Sequence, residues 1–542
     1  MAQDQTQEEK QIAEHYMRRH QRMKDRRRVN WESNWEDVAE FILPRKDDVF
    51  GQVSRVKGER KYNRLFDSTS IHANETLASS LSGMLIPQTQ QWLAFATGDP
   101  VVDKEREARL WMQDAATKIL SELDHTNFYT EAHETFLDLG AIGTNTMFVG
   151  EEDEKEDADV FFNSSPIYGY WISVDKNKRV SVISFEEELT FRELVGRYGE
   201  ENLSGDVLRQ GRKDELKEFT VVRFVEPNEQ FDPDAPQLEI NKPFVSVHIL
   251  KSSRVLVKKS GFNEMPFAVP RWTVSNNEVY GRSPGMKAMP DIKMINSMAK
   301  VNIRGAQKAI DPPLQVPDNG FLLPLDTTPG GTNFYRQGMQ DRIEPLQTGA
   351  RPDIGQDLIE SHKQQIRQAF FIDQLQLREG PQMTATEVRQ RTEEQLRLMG
   401  PILARLNDEF LKPLVDRVFG IMLRKGRFNE PPESLKGRDL QVRFISQVAK
   451  AQKASAADTL PRVIQSISPI VQAQPEVMDN FDGDNIVREH AEIFGLSETQ
   501  LKDPEDIKDE REERQARQKQ QQAAQQAKEQ SETAKNLGQA QQ

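Results

Sequence analysis

The chain has 542 residues, 36% apolar and 29% charged, enough to bury a real core in about three to four domain-sized pieces. Lys plus Arg number 72 against 86 Asp plus Glu, a net charge of -14, which excludes a surface that grips nucleic acid all round, because phosphates call for an excess of cations. Cysteine is absent, which excludes disulfides, thiolate zinc sites and cysteine nucleophiles, and no apolar run approaches the roughly 20 residues of a membrane span. The first residues, MAQDQTQEEK, carry no signal-peptide pattern, so neither secretion nor a membrane span is expected.

A polar helix is expected from about Glu8 to Arg28. Its second half is strongly basic, with Arg18, Arg19, Arg22, Lys24, Arg26, Arg27 and Arg28 opposed only by Asp25. Such a run is either a solvated face or a contact for phosphate or another protein. Trp35, Val38, Ala39 and Ile42 continue at helical spacing until Pro44. A Gly- and Arg-rich loop (Gly51 to Arg60) precedes a helix from Asp67 to Leu85, which Asp67 or Ser68 could cap. Two more helices follow, about Asp103 to Leu123 and Tyr129 to Leu139. The acidic run Glu151 to Asp159 reads more readily as a solvated loop than as an ion site. From about Val160 to Val274 the period becomes alternating, with a hairpin turn at Asp175-Lys176-Asn177-Lys178.

A helix then runs from Ser283 through Pro290 to about Ala309. Lys293, Lys300, Arg304 and Lys308 fall on one face, and Ile292, Ile295, Ala299 and Ile303 on another. The basic stripe either faces a polyanion or pairs with Asp353, Asp357 and Glu360 of the next helix, Asp353 to Ala369, in the same or a neighbouring copy of the chain. Between them, Ile310 to Pro352 is too long for a plain loop and reads as a small module. Its apolar candidates for docking include Leu314, Val316, Phe321, Leu322 and Phe334. A linker, Gln374 to Gln382, leads to a capping box at Thr384 to Glu387. The long helix it starts reaches about Arg424, bent by Gly400-Pro401 and Pro413. A smaller helical region follows Gly426. The Gln/Ala-rich tail from Asp503 is either disordered or a helix formed only in an assembly.

Catalytic chemistry is hard to find. Gly-Lys never occurs, so there is no phosphate-binding loop of the motor type. His133-Glu134 lacks its second histidine, because position 137 is Leu. Gly281 to Gly285 spells G-x-S-x-G, but the residue that should donate an N–H to an oxyanion is Pro284. Ser283 is better read as an N-cap with Pro284 at the first helical position. No enzyme, metal or cofactor is expected.

Four segments in order carry a resemblance: Asn74 to Met84 with Trp92; Tyr280 to Gly285 with Pro290-Asp291-Ile292 and Asn296; Met383 to Val388; and Phe444-Ile445-Ser446 with Ala449 to Gln452. Together they resemble the portal, or head-to-tail connector, proteins of short-tailed bacteriophages, across about residues 10 to 515. The resemblance implies a mainly α fold with an α+β wing insert, assembled as a homo-oligomeric ring of usually twelve subunits. Residues 1–282 would be the wing, with the β-rich insert at about 160–274. Residues 283–309 and 353–373 would be the stem helices, and 310–352 the clip. Residues 374–383 would form the channel loop and 384–428 the long kinked wing helix. Residues 429–502 would be the crown and 503–542 a C-terminal barrel. It further implies a place at the portal vertex of the virion, between head and tail, after assembly in the host cytoplasm. Double-stranded DNA would pass through the channel, driven by a separate terminase motor and later ejected. Further implied partners are tail adaptor proteins and major capsid, scaffolding or internal core proteins. The channel-loop residues would be Leu375, Leu377, Arg378 and Gln382, with Arg378 either gating DNA or pairing with Glu379 or Asp373 of a neighbour. Arg26, Arg27 and Arg28 would face the capsid shell or packaged DNA. The rival expectations are a nuclease or hydrolase, marked by metal-dependent activity, and a monomeric adaptor.

Overall fold

The computed structural model describes residues 7–49, 65–152, 158–235, 241–311, 313–315, 344–345, 352–375, 398–438, 440–445, 463, 465–469, 474, 476, 481–494, 500–502 and 504–539. They are mostly helical, with an antiparallel sheet region, and fall into two compact units.

The first unit holds residues up to Gln90 and from Ser121 to Arg427. Its centre is a five-stranded antiparallel meander in sequence order: β4 (Tyr170–Val174), β5 (Val180–Thr190), β6 (Glu218–Pro227), β7 (Phe244–Leu250) and β8 (Val255–Phe262). The turn between β4 and β5 lies where the Asp-Lys-Asn-Lys run predicts it. The Asp175 carboxylate accepts from the Asn177 and Arg179 amides at 2.8 Å, and Lys178 closes the turn at φ 63°.

Both faces of this sheet are buried. Val222, Phe224, Val245, Val247 and Ile249 lie under Ala13, Tyr16 and Met17 of helix α1 (Gln7–Arg27). The alternate residues, Phe219, Val221, Leu250 and Val257, pack under α6 (Phe191–Tyr198) and α7 (Gly205–Gly211). At about 1.5–3 kcal/mol for each large apolar side chain, such two-sided burial fixes the strand register. Helix α6 starts with a capping box, Thr190 with Glu193. The same T-x-x-E signal at Thr384 lies outside the described residues.

His248 of β7 sits 5% exposed between the Tyr198 hydroxyl at 2.9 Å and the Ser246 hydroxyl at 3.0 Å. Burial, reinforced by the charges of Arg223, Lys258 and Arg197, pushes its pKa down to about 2. The folded protein therefore keeps this imidazole neutral, while the unfolded chain takes up a proton near the ordinary value of 6.5. The resulting stability is present above pH 6.5 and is lost as the pH falls, by about 1.4 kcal/mol per unit. We expect a lower urea midpoint at pH 5 than at pH 7.5. His248→Gln should flatten that difference; an unchanged pH slope in the variant would refute the assignment.

Helix α2 (Ser33–Phe41) follows α1 through a π-helical segment, Arg28–Glu32. Helix α3 (Thr69–Leu85) packs on α5 (Phe128–Ala141), with the Asn74 amide donating to the Leu137 carbonyl at 3.0 Å. The Asp67 carboxylate accepts from the Thr69 amide at 2.9 Å, while Ser68 makes no capping bond. A second sheet orders β3 (Val160–Pro166), β2 (Asn145–Glu151) and β9 (Phe267–Ala268).

The described part of the long helix, from residue 398, is helical through Gly400 and Pro401. Among its described residues it departs from α geometry ahead of Pro413, as a π-helical segment over Asn407–Leu411 before the helix Lys412–Arg424. Proline cannot donate to the carbonyl four residues back, and a widened turn absorbs that lost bond. The two described ends of the acidic run are not free in water. Arg417 and Arg424 hold Glu151 at 2.9 and 3.4 Å, and Arg427 holds Asp159 at 2.6 Å.

The second unit joins residues 91–120 to those after Arg427. Strand β1 (Leu93–Ala96) pairs antiparallel with β12 (Gln441–Phe444), and Trp92 stacks on Phe444 at 6.4 Å. Arg438 binds Asp99 at 2.8 Å, and the Trp111 indole donates to the Asn429 carbonyl at 2.9 Å. The tail is helical over Pro504–Gln539, tied near its start by Arg511 to Asp484 of the helix Gly483–Phe494.

Candidate functional site

The strongest candidate is the antiparallel helical hairpin of α8 (Pro284–Ile310) and α9 (Pro352–Ala369). Ser283 caps α8 by accepting from the Met286 amide at 2.9 Å, and it also donates to the Ala141 carbonyl. The G-x-S-x-G run is therefore a helix start fastened to the end of α5. Gly281 belongs to the same fastening. Its amide donates to the Thr144 hydroxyl at 2.8 Å, and a Cβ there would lie 2.3 Å from the Gly143 carbonyl oxygen. Gly143 itself has φ 88°. Helix α8 runs unbroken through Pro290.

Ile292 and Ile295 of α8 and Ile366 and Phe370 at the end of α9 are buried. Asp291 accepts from His362 at 2.9 Å, which sets the antiparallel register. That register brings the start of α9, Pro352, opposite about Val301. The end of α8 therefore has no α9 beside it. This explains why Ile303, expected on the covered apolar face, is 45% exposed, and why Ile310 is 85% exposed.

The basic stripe divides. Lys293 binds Asp37 of α2 at 2.7 Å, and Lys300 lies over the Phe66 ring at 5.5 Å. Beside them, the Phe66 amide donates to Asn296 at 2.7 Å, and Lys363 binds Asp67 at 3.3 Å. These contacts lash the hairpin to the body of its unit. Among the described residues the stripe forms no ion pair with Asp357 or Glu360; Glu360 instead meets Arg367 at 3.7 Å. In the antiparallel register Lys293 stands level with Glu360, but it is turned toward α2, where it meets Asp37. Arg304 and Lys308 stay exposed, with no carboxylate partner among the described residues.

At the top of the hairpin, Phe371 turns the chain from α9 into α10 (Ile372–Leu375) with φ 61°. That left-handed conformation costs a non-glycine residue about 1–2 kcal/mol. Its ring meets Trp272 at 6.2 Å, on the wall of a cavity of about 490 Å³ that Pro284, Met286, Lys287 and Ile402 also line. Leu375 is half-buried at the end of α10. Leu377, Arg378 and Gln382 lie outside the described residues. So do Val316, Phe321, Leu322 and Phe334, whereas Leu314 is 44% exposed. Leu314 pairs antiparallel with Pro345, as β10 (Leu314–Gln315) against β11 (Glu344–Pro345), at the foot of the inserted module.

The basic helix also divides, and here one expectation needs correction. Arg26 and Arg28 are exposed, but Arg27 is only 4% exposed and is no surface contact. Its guanidinium donates to the carbonyls of Ile167 and Tyr170 at 3.1 and 2.9 Å and to Glu32 at 3.0 Å, and it lies 4.4 Å from the Trp171 ring centre. The helical period turns Arg27 inward with Ala13 and His20. The imidazole of His20 contacts Ser184 at 2.8 Å and Glu186 at 2.9 Å. Burial would raise the Glu186 pKa, but hydrogen bonds from His20 and Lys251 and the charge of Lys24 bring it down to about 2. Buried Arg271 went unnoticed in the sequence. It makes a two-pronged contact with Glu409 at 2.7 and 3.0 Å and donates to the carbonyls of Val279 and Lys178.

Residues 13–501 match the profile of a family described as bacteriophage head to tail connecting protein. The chain is 30% identical over 484 residues to a probable portal protein of Bordetella phage BPP-1, covering 86% of this chain and 85% of that one. It is also 30% identical over 496 residues to the portal protein of Salmonella phage epsilon15, covering 89% and 87%. A solved chain from the virion of a native gene transfer agent particle overlaps 79% of this chain and 94% of its own at 9% identity. Its TM-score of 0.36 is too low to equate the folds.

Proposed function

The chain belongs to the bacteriophage head-to-tail connecting protein family, and from that premise we propose that copies of it close into a ring whose central channel the α8–α9 hairpins line. It is a portal protein, a structural component of the virion at the head–tail junction rather than an enzyme, and the roles of its family are DNA packaging and tail attachment. In our reading the ring holds about twelve copies and forms in the host cytoplasm. DNA is driven through it by a separate terminase motor. The module 310–352 receives that motor and then the tail adaptors, while the wing meets capsid, scaffolding or core proteins. The helix Pro504–Gln539 joins its copies into a barrel.

The observation that carries the ring is the outer face of the hairpin. Met294, Val301 and Leu358 are 51% to 66% exposed on helices otherwise fastened to the wing. A neighbouring hairpin buries such a face at about 25 cal/mol per Å². The assigned channel contacts are Arg304 and Lys308, the two stripe cations that meet neither a carboxylate nor an aromatic ring among the described residues. Electron-microscope class averages of the purified protein should show a ring with a central hole. Particles with the native mass of one 62.2 kDa chain would refute it.

In the same reading Arg378, in the channel loop, forms a ring of cations that retards DNA. Arg378→Ala should leave assembly normal while packaged DNA leaks from heads. Retention equal to the parent would move the gate to Leu375 or Leu377.

A further inference from the structure

The basic run on α1 separates into two sets by what each cation meets. The inward set is neutralised: Arg19 binds Glu226 at 2.7 Å, Lys24 binds Glu186 at 3.4 Å and Arg27 binds Glu32. The outward set is not. Arg22, Arg26 and Arg28 are exposed and have no ion-pair partner among the described residues, and Arg18 has only Glu14 at 3.9 Å, both in open solvent. Arg18, Arg22 and Arg26 recur every four residues, which sets them about 6 Å apart along the face opposite Ala13 and His20. Arg28, two residues beyond Arg26 and on the other side of buried Arg27, points away from this row. Three guanidinium groups thus stand in line on a helix whose other side is locked to the sheet, in a chain of net charge -14.

We infer that this outward row is a docking surface for the phosphate backbone of duplex nucleic acid, separate from the channel. The inference rests on the portal reading for its ligand but uses different residues. Arginine's forked donors match phosphate oxygens two at a time. A protein partner would need an apolar core to its contact, and beside this row only Val29 is apolar and exposed. The helix backing also means that little side-chain backbone order must be gained on binding, so the row acts as a preformed rail on the wing.

The test uses a covalently closed circular duplex, which cannot thread a closed ring, with purified full-length protein and salt varied. The triple variant Arg18→Gln, Arg22→Gln, Arg26→Gln should bind the circle at least about 10-fold more weakly at 0.1 M salt. Its slope of log affinity against log salt should fall by about 2.7, for three lost phosphate contacts. The matching triple Arg→Lys variant should keep the slope, which separates charge from any folding defect. Arg304→Gln with Lys308→Gln should bind the circle like the parent. Unchanged affinity and slope in the Gln variant overturn the inference, as does a parent that ignores the circle. Tighter patch-dependent binding of poly-glutamate than of the circle overturns it in favour of a protein partner. Whether the particles are rings is read separately by microscopy, so the portal reading stands or falls on its own.

Discussion

Arg271→Ala is expected to cost the first unit about 3–5 kcal/mol, read as a lower urea midpoint with an unchanged slope. Arg271 is 2% exposed, and its removal leaves partly buried Glu409 with only Arg405, at 3.9 Å, as a counter-charge. The carbonyls of Val279 and Lys178 also lose their donor. The effect reaches the start of α8 because Arg271 stands where three segments meet: the β4–β5 turn through Lys178, the approach to α8 through Val279, and the long helix through Glu409. Adding Glu409→Leu to Arg271→Met should recover most of the loss, since the stranded charge is then gone. A midpoint within error of the parent for Arg271→Ala alone would refute this account.

Arg27→Gln is expected to cost about 3 kcal/mol, against no more than about 0.5 kcal/mol for Arg26→Gln or Arg28→Gln. Three charge-assisted hydrogen bonds and the Trp171 stacking contact depend on Arg27. Changing all three arginines together would therefore unfold α1 from its sheet and report nothing about the surface. Separate thermal melts of the three single variants check the ordering. Equal melts for Arg27→Gln and Arg26→Gln would place Arg27 outside the core.

Much of the local structure is written in the sequence. Ser283 followed by Pro284 predicts a helix start, Asp175 to Lys178 a hairpin turn, and the alternation around Phe219 to Val225 a strand, because each depends on dihedral preference or on period within a few residues. Thr190-Phe191-Arg192-Glu193 carries the same kind of signal and could have been read as a capping box. The side of α1 turned inward was also readable in principle, since Ala13, His20 and Arg27 recur every seven residues. The density of charge hid it, because arginine is rarely buried.

The partners are another matter. That Lys293 chooses Asp37 rather than Asp357 depends on where α2 is brought beside α8. That β1 finds β12, and that Arg271 finds Glu409, depends on segments far apart in the chain approaching in space. The sequence by itself determined the elements, their order and the family they belong to, through short-range preferences and motifs kept in register. Only the tertiary structure decided which charges are spent inside the fold and which remain for a ligand. A charge pairs with whatever the packed backbone brings within about 4 Å, and nothing in its sequence neighbours encodes that approach.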